Sequence, residues 1–307
     1  MTPRGGEPQF SDADLAAWSA GLGIPGIADI HVHFMPPRVM AKVQQYFDAA
    51  GPLLGLEWPI NYRGDDQERL SQLTDLGVRR FAGLSYAHRA GMADWLNQWQ
   101  REFAVAVPEA IQTGTFFPET DVLTYTQNAV ANGVRVFKVH LQVGDFDPRD
   151  PILDPVWGFL AESAIPVIIH AGSGPMPGRF TGPDIFSEVM RDHPQLAAII
   201  AHFGTPDESA FVAMVQQYPN MGLDTTMVDT DFMADIHRMP RSILPAVREL
   251  GLAGRVFFGS DFPNIPYAYA HQVEVIRRWD LGDDWLRAVL WGNAASLFSV
   301  GTVGSPG

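Results

Sequence analysis

Short apolar runs alternate with amphipathic stretches along almost the whole chain. The runs are Ile27–Phe34, Arg80–Tyr86, Ile111–Phe117, Val134–Gln142, Val167–Ala171, Ala197–Phe203, Met221–Thr225 and Val256–Ser260. Several are apolar at nearly every position, as parallel strands covered on both faces are. Between them, apolar residues recur at helical spacing, as in Asp65–Leu76, Trp157–Ser163, Ser187–Asp192, Ala210–Tyr218 and Pro245–Leu250. Such alternation predicts an α/β protein, and eight strands is the number that closes a (β/α)8 TIM barrel. A doubly wound open sheet would want a glycine-rich turn after its first strand to cradle a dinucleotide. The chain has His31-Val32-His33-Phe34-Met35-Pro36-Pro37 there instead.

One barrel domain accounts for residues 1–307, with its core over about 27–298. The longest insertion, 35–64, carries a helical piece, Arg38–Ala50, and an aromatic, proline-rich stretch, Leu56–Arg63. An insertion after a barrel strand is expected to lie over the mouth as a lid. The tail, 299–307, is expected to fray. No internal repeat or low-complexity segment interrupts the pattern.

Composition narrows the chemistry. A net charge of −14 argues against nucleic acid and against anionic membrane surfaces, both of which are bound by basic residues. The chain has no cysteine, so any metal is held by nitrogen and oxygen. Met1–Phe10 has no apolar segment of the signal-peptide kind, and no apolar run is long enough to span a bilayer. A cytoplasmic protein acting on a small molecule is the expectation, without nucleic-acid or membrane partners.

Candidate ligands end the apolar runs. His31 and His33 are two apart on the first strand, so alternation puts both on one face. His170 ends Pro166–His170, His202 ends Ala198–His202, and Asp261 follows Val256–Ser260. Strand C-termini are where a (β/α)8 barrel builds its active site. Each residue alone reads equally well as a satisfied histidine or a capping aspartate. Together, buried in an apolar barrel, they would be costly without an ion or a polar network. One divalent metal is therefore expected, Zn2+ first, with Mn2+ or Fe2+ as alternatives.

The pattern resembles the amidohydrolase superfamily: a paired histidine on strand one, histidines on strands five and six, and Gly259-Ser260-Asp261-Phe262-Pro263 on strand eight. The nearest branch is the amidohydrolase-related group that includes aminocarboxymuconate-semialdehyde decarboxylase. The likeness runs from Asp29 to Leu290–Phe298. It implies a (β/α)8 barrel and one metal held by His31, His33, His170 and Asp261. It also implies that His202 acts on the water rather than on the ion. Asp261 is then expected to accept the water's proton and pass it to the leaving group. His202 is expected to hydrogen-bond hydroxide or the developing oxyanion. A homodimer is a further expectation from the family.

Other polar residues are weaker candidates. In binuclear relatives a carboxylated lysine bridges two metals from the fourth strand, where this chain has Lys138. The rest of the pattern is mononuclear, so an inward lysine or substrate contact is the plainer reading. His140 shares its face. Arg63, Arg89 and Arg179 fall in loops after strands one, two and five, where an arginine fork would take a substrate carboxylate. Taken singly, each reads better as a solvated arginine. His88 is read as a surface residue. The glycine- and proline-rich loop Gly172–Phe180 is able to bring backbone amides close to a ligand. The sequence thus favours a metal-dependent hydrolase of an amide, lactone or related carbonyl compound, acting through a metal-activated water. The alternatives are non-oxidative decarboxylation of an unsaturated or aromatic acid, and a non-catalytic ligand-binding barrel.

Overall fold

In a computed structural model, residues 11–295 are described, apart from the side chains of residues 54 and 235. Every expected run contains a strand. They are β1 (Ile27–His33), β2 (Val78–Leu84), β3 (Ala110–Ile111), β4 (Thr113–Gly114), β5 (Val136–His140), β6 (Val167–His170), β7 (Ala198–Ile200), β8 (Gly222–Asp224) and β9 (Val256–Phe257). All neighbours pair in parallel and in chain order, as β1–β2–β3 and as β4 through β9. The third expected strand is two short ones, which pass the ladder from one sheet to the other. At the remaining seam, Ile30 N donates to Phe258 O at 3.0 Å and Asp261 N to His31 O at 2.8 Å. The first strand thereby meets the chain that follows the last, in the order of a (β/α)8 barrel.

Alternation sorts the strand residues into two apolar layers. Ala28, Ile30, Ala82, Val136, Ile168 and Phe257 pack together from across the strands and fill the interior. Ile27, Val32, Phe81, Val139, Ile169 and Leu223 belong to the larger cluster beneath the helices. On β1 the phase changes part-way: from Asp29 to Val32 it advances three residues while β2 advances two, Phe81 to Gly83. This bulge moves Val32 to the outer layer and turns His31 and His33 to the inside.

Helices follow the strands, among them Asp66–Asp75, Asp154–Glu162, Pro183–Asp192, Glu208–Gln217 and Leu244–Leu252. Asp65 caps the first of these: its carboxylate accepts from Glu68 N at 2.9 Å, and Glu68 reaches back to Asp65 N at 2.9 Å. No helix among the described residues is long and apolar enough to cross a membrane. The 35–64 insertion forms a helix at Pro37–Asp48 and a short one at Ala50–Leu54. It is tied to the loop after β9: Trp58 Nε1 donates to Asn264 O at 2.8 Å and Asn61 N to Ile265 O at 2.9 Å. The expected tail, 299–307, lies outside the described residues, as do the last residues of the expected core.

Candidate metal centre

Each interior histidine has a ring nitrogen tied down. His31 Nδ1 lies 2.8 Å from Asp224 Oδ2. His33 Nδ1 lies 3.2 Å from Leu84 O. Asp224 only accepts, so His31 Nδ1 carries its proton and His31 Nε2 keeps its lone pair, whereas both ring nitrogens of His33 face acceptors. The two Nε2 atoms converge on Asp261 Oδ1, at 3.5 and 2.8 Å. The three donor atoms lie within 4.8 Å of one another. Two imidazole nitrogens and a carboxylate oxygen suit a divalent first-row ion, and a carboxylate behind a ligating histidine raises its basicity.

The electrostatics agree. Burial pulls the His31 imidazole down to about pKa 3, so it stays neutral. Burial raises both carboxyls' cost of ionising, yet neighbouring imidazoles outweigh it. His31 beside Asp224, and His33 beside Asp261, hold both well below the ordinary carboxylate range. Lys138 is fully buried on β5, with Nζ 3.1 Å from His31 Nε2. Burial lowers it to about pKa 8.

Asp261 is delivered by an unusual backbone. It has φ 72°, in the left-handed region. A Cβ on Gly259 would fall 2.1 Å from Thr226 Oγ1 and 2.8 Å from His31 Cβ, so only glycine lets the turn pass. His202 and Phe203 are likewise left-handed, at φ 57° and 51°. His202 N donates to Asp224 Oδ1 at 2.8 Å, so one carboxylate positions both histidines. His202 Nδ1 lies 3.0 Å from Thr226 O, which leaves its Nε2 unprotonated. Its ring centre is 5.1 Å from that of His31. Burial keeps it neutral by lowering its pKa.

Residues 28–300 match the family described as Amidohydrolase. The chain belongs to the amidohydrolase family. Similar solved structures share the fold at low identity. An uncharacterized TIM-barrel protein from Bordetella bronchiseptica is 20% identical over 88% of this chain and 98% of that one, with TM-score 0.69. The 5-carboxyvanillate decarboxylase of Sphingomonas paucimobilis is 16% identical over 90% and 99%, with TM-score 0.60. A zinc-bound amidohydrolase from Burkholderia multivorans is 16% identical over 89% and 99%, with TM-score 0.61. No curated protein matches the sequence.

The remaining expected residues of this amidohydrolase fall in different places. His170 is buried beside the cluster, but its Nε2 lies 3.1 Å from Gly174 O and it is not part of the three-residue donor group. Its ring stacks on His140 at 3.9 Å and 10°. His140 Nδ1 accepts from Val143 N at 3.3 Å. Both imidazoles are held well below their ordinary pKa, chiefly by burial.

A cavity of about 490 Å³ opens above these groups. Arg63, Arg89 and Arg179 do not line it, and among the described residues no arginine does. The expected fork is corrected accordingly. Arg63 pairs with Asp48, Arg179 lies 4.6 Å over the Phe180 ring, and Arg89 is exposed. These loops point their long side chains to solvent, where guanidinium is better hydrated. His88 is exposed, as expected, and also lines the mouth. So do Gly172 and Gly174. Asp224, Tyr86, Tyr46 and Phe47 were not singled out from the sequence. A lone carboxylate closing the apolar Met221–Leu223 was the available signal for Asp224. Thr226 Oγ1 and Asn264 Oδ1, both buried and both from lining residues, have no hydrogen-bond partner.

Proposed function

We propose that this amidohydrolase is a metal-dependent hydrolase of a small amide, lactone or related carbonyl compound. The observation that carries the reading is His202: its Nδ1 proton is committed to Thr226 O, so a neutral, unprotonated Nε2 stands beside the donor group. His31, His33 and Asp261 would hold the ion. Zn2+ suits that set, and the Burkholderia multivorans amidohydrolase of the same fold has zinc bound. A bound divalent ion makes water acidic enough to ionise near neutral pH and polarises a carbonyl.

The chain's own groups supply the rest. His202 Nε2, lacking a proton, can only accept, so it orients a water rather than donating to an oxyanion. Asp261 stays ionised and has a second oxygen with which to take a proton toward the leaving group. Asp224 fixes the tautomer of His31 and the backbone of His202 together. Buried Trp58 and Met35 line the cavity and keep bulk water from its walls. Among the described residues no arginine lines the cavity to form a bidentate fork for a substrate carboxylate, which favours hydrolysis over decarboxylation.

The test is a panel of lactones, amides and aromatic or unsaturated acids, assayed for hydrolysis and for CO2 release. Lactone or amide hydrolysis is expected, with about one metal per chain by elemental analysis. His202→Ala should lower kcat by about 10²–10⁴ while retaining metal. CO2 release with lactones and amides inert would overturn the proposal. Two metals per chain would return Lys138 to the role of a carboxylated bridge.

A further inference from the structure

The cavity has two unlike ends. Its floor holds the histidines, Asp261 and Lys138. Its other walls carry a contiguous apolar part, Met35, Val39, Val43, Phe47, Trp58 and Met227, beside polar residues such as Lys42, His88 and Gln142. Val39, Val43 and Phe47 recur at four-residue spacing along the helix Pro37–Asp48, so one face of that helix is turned to the cavity. Behind it, Phe47 and Trp58 pack at 5.1 Å, and Trp58 and Phe232 at 4.8 Å. This cluster joins the insertion to the loop after β8 through Met227 and Met233. The apolar lining continues to the rim, where Tyr46 and Val143 remain 50% and 46% exposed. Exposed apolar side chains that line a cavity mouth leave water best when an apolar ligand covers them.

Cations are scarce along the same path. Lys42 is exposed at the rim, and its Nζ donates to Gln45 on its own helix at 3.2 Å. Lys138 sits on the floor, against His31. Apart from exposed Lys42 and His88 at the mouth, no basic side chain outside the floor lines the cavity among the described residues, and burying a carboxylate unpaired is costly. A volume of about 490 Å³ also exceeds what a two- or three-carbon acyl group fills.

We propose that the site selects a carbonyl compound with a hydrophobic body, aliphatic or aromatic, and no second anionic group. The carbonyl lies on the histidine floor and the body lies against Phe47, Trp58 and the methionines. This deepens the hydrolytic reading and rests on it. Selectivity then resides in the 35–64 insertion, whereas the reacting groups come from the strand ends.

The experiment uses the zinc-loaded protein and a γ-lactone series: γ-butyrolactone, γ-hexalactone, γ-octalactone and γ-decalactone, with an octalactone analogue whose tail ends in a carboxylate. Binding of each is also measured by titration calorimetry. A buried methylene is worth up to about fourfold in affinity. Accordingly kcat/KM should rise at least about tenfold from butyrolactone to octalactone, and the carboxylate analogue should lose that gain. Phe47→Ala should flatten the dependence on tail length, lowering kcat/KM for octalactone by several-fold more than for butyrolactone. A flat tail dependence, or preference for the carboxylate analogue, would overturn the inference even if lactones are hydrolysed. Tail-dependent binding without turnover would support it and overturn the hydrolytic reading instead.

Discussion

Asp224 holds more of the site together than any ligand does. One oxygen takes the His31 Nδ1 proton, and the other accepts from the backbone of His202 and Thr226 at 2.8 and 3.1 Å. Asp224→Asn keeps the shape but replaces an acceptor with a donor. His31 would then be free to adopt the other tautomer and present a protonated Nε2 to the ion. Metal affinity should fall about ten- to hundredfold, read by titration calorimetry against the wild type. Unchanged affinity would show that His31 is oriented by something else. Sequence reading reached the candidate ligands because several histidines and an aspartate each close an apolar run, a conjunction that no one of them carries alone. It did not reach Asp224, because a residue whose role is exercised through another residue has no motif of its own. The arginines mark the opposite limit. Their chemistry was legible, but the direction of a long side chain on a loop is set by solvent and neighbours, not by the loop's position after a strand.

Among elements, the strands were legible by existence and less so by extent. The runs end where backbone needs change. β5 stops at His140 because Leu141–Gly144 turns helical. β9 stops at Phe257 because the following residues leave the ladder to present Asp261. The bulge on β1 was invisible, since alternation written from Asp29 cannot show a phase change. Two substitutions separate scaffold from site. Asp65→Ala removes an exposed helix cap that does not line the cavity. It should lower stability by about 1 kcal/mol in a denaturant titration, with metal content unchanged. Gly259→Ala forces a methyl against Thr226 and His31. It should cost about 1–3 kcal/mol and lower metal content as well. Retained metal in Gly259→Ala would mean that the turn relaxes without moving His31.

For the whole molecule, proton linkage follows from what the barrel buries. His31, His140, His170 and His202 are all held below the ordinary 6.5, chiefly by burial. Unfolding the metal-free chain therefore takes up protons below about pH 6.5. Stability from these groups is complete above that value and is lost as pH falls toward the folded value of about 3 for His31. Asp29 acts in the other sense. Burial raises it to about 7, so its contribution is present at low pH and lost as pH rises from about 4 through 7. Four imidazoles outnumber one carboxyl. The Tm of the metal-free protein should therefore drop between pH 7 and pH 5, and saturating zinc should raise Tm throughout without reducing the drop, because it keeps the folded imidazoles proton-free. A Tm that rises over that interval would mean that Asp29 dominates.

The seam between the first strand and the chain after the last also has a bearing on synthesis. Asp261 N bonds His31 O, and Asp261 Oδ1 meets His33 Nε2, across 228 residues of sequence. A ribosome that has released the first two hundred residues has made both ligating histidines but not their carboxylate. Such a nascent chain has imidazoles but lacks the Asp261 carboxylate on which His31 and His33 converge. Selective capture must wait until the final sixth of the polypeptide has emerged and the ring has shut. A truncated chain ending at residue 250 should then bind zinc no more tightly than a short peptide spanning His31 and His33.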